Sequence, residues 1–160
     1  MIIVLMGVTG SGKTTVGKLL SAELNWDYYD ADDFHSPANV EKMKSGNPLD
    51  DADRKPWLET LRDLIRNRLE RAENCVLACS ALKASYRDYL LINDEVRLIY
   101  LKGNYGLIQK RLSDRSGHYM NAKLLDTQFE ILEEPEGHLA IDVFSPPAEI
   151  VKNIRGHLGL

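Results

Sequence analysis

Nowhere in the chain do 18 apolar residues run together, so no segment is expected to cross a membrane as a helix. The opening apolar run, Ile2 to Met6, is too short for the core of a secretion signal and has no basic stretch before it. Cysteine is scarce. Cys75 and Cys79 lie four apart in CVLAC, where a strand would set them on one face but too far apart for a comfortable disulfide. Buried core thiols in a reducing cytoplasm are the expectation, rather than reactive or metal-binding groups. Excess positive charge is also missing: the net charge is -4, which argues against a general attraction to nucleic acid or anionic lipid. Any phosphate or carboxylate ligand must therefore meet a local cluster of cations. Internal repeats and low-complexity segments are absent as well.

What remains is a soluble, globular balance, 44% hydrophobic and 28% charged over 160 residues, which predicts one compact domain over 1–160. Short apolar runs alternate with longer stretches of helical period. IIVLM reads as a buried strand, and Val16, Leu19, Leu20 and Leu24 then recur at helical spacing. A second strand is expected around Trp26 to Tyr29. The polar stretch beyond it has room for a short helix from Pro37 to Lys44. Trp57, Leu58, Leu61, Ile65 and Leu69 fall on one helical stripe with Pro56 suited to its first turn. CVLAC and VRLIYL read as further strands flanking a helix near Ala84 to Leu91. Helices from about Tyr105 to Arg115 and Ala122 to Leu132, the strand HLAIDV and a closing helix after Pro147 complete the pattern. Such alternation implies an α/β fold, a parallel sheet covered by helices on both faces.

Between the first strand and the first helix, Gly7-Val8-Thr9-Gly10-Ser11-Gly12-Lys13-Thr14 matches the P-loop pattern G-x-x-x-x-G-K-[ST] in full. Glycines let successive backbone N–H groups face a phosphate chain, and the helix start adds its free donors and positive dipole end. Lys13 supplies a charge for the β- and γ-phosphates, Thr14 a hydroxyl for magnesium, and Thr15 continues the nucleotide site into the helix. ATP and magnesium are thus the expected cofactors. A GTPase would carry a guanine-reading N-K-x-D segment, which is absent, and a mechanical ATPase usually needs more chain. The polar insert at about 30–57 is better read as an acceptor site, which makes a kinase the leading class.

Asp30, Asp32 and Asp33 follow the second strand, where a parallel sheet opens its ligand crevice. Strand alternation would set Asp30 and Asp32 on one side, one to fix the magnesium hydration shell and the other to accept a hydroxyl proton. A turn or helix-cap role is the alternative for each. The run DADDFHSPANVEKMKSGNPLDDADRKPWL, then ACSALKASYRDYL, KRLSDRSGHYM and TQFEILEEP, together with GVTGSGKTT, resemble the gluconokinase family. The resemblance runs from Ile2 to about Val143. It implies a five-stranded sheet of the nucleoside-monophosphate-kinase type, ATP and magnesium, gluconate as acceptor and, in many members, a homodimer. More distantly the layout resembles shikimate kinases, and by that likeness Asp30 is the magnesium-side carboxylate, acting through water, and Asp32 the acceptor-side one. An Asp32 near its ordinary pKa of about 3.9 would stay ionised and orient the hydroxyl. The stretch SDRSGHYMNAKLL, within a lid at about 111–124, departs most from the family pattern.

Several basic residues are candidates for the substrate. Arg54 has the planar guanidinium suited to a carboxylate, or an internal ion pair that orders its loop. Lys83 and Arg87, four apart, would share a helical face beyond the third strand, or else be solvated charges. His35 is placed to bond an acceptor hydroxyl or to order its loop. Arg111 and Arg115, on the helix leading to His118, are expected to reach the transferring phosphoryl group, Arg111 also the nucleotide and His118 the acceptor, unless they form a plain charged face. Trp26, Tyr28, Tyr29 and Trp57 read as core or loop anchors. Two rivals remain: a kinase for shikimate or another small acid, and a regulatory module that binds nucleotide without catalysis.

Overall fold

Every residue of β1 (Ile2–Met6) is buried, as a strand covered on both faces must be. The computed structural model, which describes residues 1–116 and 120–160, sets this strand at the centre of a five-stranded sheet. The order is β2 (Asp27–Asp30), β3 (Cys75–Ala78), β1, β4 (Val96–Lys102), β5 (Leu139–Asp142), and all four pairings are parallel. Ile2 pairs with Cys75 on one side and Val96 on the other, and Met6 pairs with Tyr100. Period-two alternation splits β1 between two cores. Ile2, Val4 and Met6 join Trp57, Leu61 and Ile65, whereas Ile3 and Leu5 join Val16, Leu20 and Ile154.

The helices covering these faces are α1 (Lys13–Leu24), α2 (Pro37–Lys44), α3 (Asp51–Glu70), α4 (Ala84–Leu90), α5 (Tyr105–Ser116), α6 (Met120–Ile131) and α7 (Pro147–Leu158). α2 begins and ends where its sequence implied, with Ser36 capping the Asn39 N–H. Two boundaries differ from expectation. β2 starts at Asp27, because Trp26 donates its N–H to the Ser21 carbonyl and belongs to the end of α1. α3 starts well before Pro56. Asp50 accepts the Asp53 N–H and Asp53 the Asp50 N–H, a capping box that begins the helix at Asp51 and leaves Pro56 in its interior. The cost of one missing helical hydrogen bond at Pro56 is offset by Trp57, Leu58, Leu61 and Ile65, all buried by this helix.

Cys75 and Cys79 are free and buried in the same core. Burial pushes their thiols up to about 11 and about 12, so neither is a thiolate at neutral pH. No helix among the described residues is long and apolar enough to cross a membrane. Because all five strands run the same way, their carboxyl ends open onto one edge. The loop after β1, the turn after β2 and the segment from β3 to α4 meet there.

Candidate active site

The loop from Gly7 to Gly12 is shaped by close approach. A Cβ on Gly7 (φ 153°) would lie 2.6 Å from Ser11 Oγ and 2.7 Å from the Leu101 carbonyl, so only glycine fits. Gly12 (φ 95°) caps α1 in the left-handed region with no side-chain bond, and open space lies where its Cβ would project. Lys13 Nζ donates to the Gly7 and Val8 carbonyls at 2.9 and 3.0 Å. The residue as a whole is half-buried, but its ammonium is turned inward. Desolvation lowers its pKa, while Cys79, Asp32 and Asp30 pull the other way. Thr14 and Thr15 open α1, both exposed.

Three features fit this loop to a triphosphate. Among the described residues the Ser11 hydroxyl is buried without a partner, no acidic residue stands in the first turn of α1, and the space off Gly12 is open. Thr14 Oγ1 donates to Asp30 Oδ2 at 3.4 Å, which also accepts from the Tyr28 hydroxyl at 3.3 Å. Among the described residues no group of three or more histidines, cysteines or carboxylates stands ready to hold a metal alone. Two oxygens, from Thr14 and Asp30, are what the chain offers. That set fits magnesium, which keeps several waters and takes its remaining ligands from phosphate.

Asp30 and Asp32 do come together, though not by strand alternation. β2 ends at Asp30 and the chain turns into a 3₁₀ turn over Ala31–Phe34, in which Asp30 Oδ1 accepts the Asp32 N–H at 3.0 Å. Asp30 thus caps the turn that presents Asp32. The turn is held from beneath by Trp57, whose Nε1 donates to the Ala31 carbonyl at 2.7 Å. Asp32 does not keep the ordinary carboxylate pKa expected of it. Desolvation and the Asp30 charge raise it, opposed by His35 and Lys13. Its side chain is nonetheless 84% exposed. His35 stacks on Trp57, ring centroids 4.5 Å apart and planes 13° from parallel, with Nε2 3.9 Å from Asp32 Oδ1. Its side chain is 6% exposed, and among the described residues Nδ1 is buried without a partner. Burial lowers its pKa, Asp32 opposing and Arg54 assisting, which keeps the ring neutral at pH 7.

The three expected carboxylate binders separate. Arg54 projects from the first turns of α3, half-buried, and donates to the Tyr86 hydroxyl at 3.2 Å. It forms no ion pair among the described residues. Lys83 is not on a helical face with Arg87. It is the extended residue capping α4, and its Nζ donates to Asp51 Oδ1 at 2.9 Å. The same oxygen accepts the Tyr86 hydroxyl at 2.5 Å, joining the start of α3 to α4. Arg87 is 6% exposed and donates to the Ala81 and Leu82 carbonyls, both at 3.0 Å. It braces the loop beneath the cleft, where Ala81 holds a left-handed φ of 44°. Sequence reasoning passed over Asp51 and Tyr86. The signal for Asp51 was the Asp50-x-x-Asp53 cap just beside it.

Arg111 on α5 donates to the Val143 carbonyl beyond β5, and Arg115, one turn on, is exposed. His118 lies outside the described residues.

A backbone cradle for phosphates on one wall and a carboxylate pair on the other is the arrangement of the P-loop kinases that phosphorylate small molecules. Comparison with known proteins agrees. The family model described as Shikimate kinase matches residues 9–139. A gluconokinase from Gluconobacter oxydans is 45% identical, over 83% of this chain and 75% of that protein. A thermoresistant gluconokinase from Escherichia coli is 42% identical, over 94% and 89%. The crystal structure of a gluconokinase from Sinorhizobium meliloti superposes with a TM-score of 0.85 at 41% identity, covering 98% of this chain and 90% of that one. A shikimate kinase from Aquifex aeolicus, at 24% identity and a TM-score of 0.63, shares the fold. The chain belongs to the gluconokinase family, within the wider shikimate-kinase-like group.

Proposed function

We propose that the chain transfers the γ-phosphoryl group of ATP to the 6-hydroxyl of D-gluconate, giving 6-phospho-D-gluconate and ADP. The observation that carries this reading is the convergence of Lys13, Thr14, Asp30 and Asp32 at one cleft in a chain 42% identical to a gluconokinase over nearly its whole length. Phosphoryl transfer has a loose transition state, so placing the groups and neutralising charge matter more than covalent chemistry. The amides of the Gly7–Gly12 loop and the start of α1 would hold the phosphates, with Lys13 leaving its two carbonyl partners for the β- and γ-oxygens. Magnesium, when bound by Thr14 and, through water, by Asp30, would supply further neutralisation of the phosphate charge.

Asp32 is the group placed to orient the acceptor hydroxyl and take its proton, and its raised pKa makes it a better base than an ordinary carboxylate. His35, neutral and fixed on Trp57, offers ring nitrogens to an acceptor hydroxyl. Arg54 is the cation we assign to the gluconate carboxylate, since Lys83 already has Asp51 and Arg87 is committed beneath the loop. Arg111 and Arg115 are assigned to nucleotide and transferring phosphate, at the edge of a lid over 111–124. We further propose a homodimer, as the family resemblance implies in many members, and a reducing cytoplasm, which suits the two free buried thiols. A coupled ADP-release assay over gluconate, shikimate and related small acids, with the product identified by mass, tests the reaction. Turnover with gluconate and none with shikimate is expected, and the reverse would replace gluconate by another acid.

A further inference from the structure

The block TQFEILEEP, Thr127 to Pro135, has no part in the transfer just described, yet it touches both walls of the cleft. Leu125 and Phe129 of α6, and Leu132 just beyond its end, pack onto the core. Gln128 lies on the same helical side, a polar residue in an apolar stripe. Its Oε1 accepts the Thr9 N–H of the phosphate loop at 2.6 Å. At the other end of the block, Glu133 donates its N–H to the Leu82 carbonyl at 2.9 Å. Its Oε2 accepts the N–H of Ala84, the first residue of α4, at 2.6 Å. Leu82 and Ala84 flank Lys83, and the Leu82 carbonyl also accepts from the guanidinium of Arg87. Glu134 then pairs with Lys102 at the end of β4 at 2.9 Å, fixing the block to the sheet.

We propose that Gln128 and Glu133 are positioning residues for phosphoryl transfer, a rigid strap that holds the nucleotide loop and the loop from β3 to α4 at one separation. The inference rests on the kinase reading above. In-line transfer needs its reacting atoms in near contact, and a displacement of about 1 Å costs about 10²-fold in rate. Where they leave the sheet the two loops share a bond from the Gly7 N–H to the Ser80 carbonyl at 3.3 Å, which ties their roots but not Thr9 or Lys83 farther out. A segment fastened to both loops, by Gln128 on α6 and by Glu133 two residues past its end, removes that freedom. The Thr9 N–H is already taken by Gln128 and the Ala84 N–H by Glu133, so these bonds place the loops while other amides of the phosphate loop are left for the nucleotide. Loss of these bonds should lower kcat and leave KM nearly alone.

The test is steady-state kinetics on whichever acid the unmodified protein phosphorylates, which separates failure of the strap from failure of the gluconate assignment. Gln128→Met keeps the volume and removes the acceptor oxygen. It should lower kcat by roughly 10–100-fold, with KM for ATP and for the acid changed less than about 3-fold. Glu133→Ala should do the same, and Glu133→Gln, which keeps an oxygen for the Ala84 N–H, should recover most of the loss. If the two residues act as one strap, the double variant Gln128→Met, Glu133→Ala loses clearly less than the product of the single losses. Wild-type kcat in Gln128→Met overturns the proposal. So does a loss confined to KM, a loss that vanishes in assays far below the melting temperature of each variant, or strictly multiplicative losses.

Discussion

The two walls of the cleft are built in opposite ways. The proposed nucleotide wall is one continuous segment, Gly7 to Thr15, and the groups assigned to it are mainly backbone amides held in place by glycines and a helix start. The proposed acceptor wall is assembled from side chains on separate segments: Asp32 and His35 after β2, Arg54 on α3, Lys83 and Tyr86 at α4. A triphosphate presents the same shape to any kinase, so a short run of backbone suffices. Choosing one small acid requires charges and hydroxyls at set positions, which no contiguous run can supply. The nucleotide wall should accordingly be sensitive at few positions, and the acceptor wall should divide its work among many.

The sharpest break in that comparison is Asp32→Asn. It should lower kcat by roughly 10²–10⁴-fold while ATP binding, measured by titration, survives. A rise in KM for gluconate with kcat unchanged would make Asp32 a binding residue and void its role as base. Next is Arg54→Met, which should lower kcat/KM for gluconate by about 10–150-fold, the worth of a charge-assisted hydrogen bond of about 1.5–3 kcal/mol. Activity on the neutral sugar glucose should hardly change. Equal losses on both substrates would show that Arg54 orders the cleft rather than reading a carboxylate.

Arg87 sharpens the contrast from the other side, because it was a candidate for the acceptor and is braced beneath it. Arg87→Met takes the guanidinium donor from the Ala81 carbonyl in a buried place and leaves the Leu82 carbonyl only the Glu133 N–H, a loss of about 1–3 kcal/mol read as a lower melting temperature. KM for gluconate in the folded variant should stay within a few-fold of the original, and a steep rise would return Arg87 to the substrate. The smallest effect is on pH. Asp32 is active when ionised, so activity is present above its raised pKa and is lost as pH falls through it. Asp30→Asn removes the like charge that helps raise it. The acid limb of kcat should then move to lower pH, and a shift to higher pH would contradict the electrostatic account.

The same division explains what the sequence disclosed. The phosphate loop is a local pattern whose spacing is its geometry, and the parallel sheet follows from alternating runs such as IIVLM and VRLIYL. The acceptor wall was legible in its membership but not in its roles. Lys83 and Arg87 are four apart, yet spacing on a helix says nothing when the first of them is the extended cap, so they part to Asp51 and to buried carbonyls. Asp30 and Asp32 converge because the strand ends between them, where alternation no longer applies. Pro56 drew the start of α3 too late, since proline suits a first turn, while the reciprocal cap of Asp50 and Asp53 set it earlier. Gln128 carried no local sign at all: its partner Thr9 lies 119 residues away.

The central claim is that an acidic chain selects an acidic sugar derivative through local cations on the acceptor wall. It is tested most directly by kcat/KM for gluconate and for glucose, measured side by side on the unmodified protein. Glucose keeps a six-carbon skeleton and a primary hydroxyl but lacks the carboxylate, and would leave the cation facing it poorly paired. The loss of one or two charge-assisted hydrogen bonds predicts a preference for gluconate of roughly ten-fold to several thousand-fold. Comparable values for the two substrates would contradict carboxylate recognition, and with it the assignment of gluconate as the acceptor.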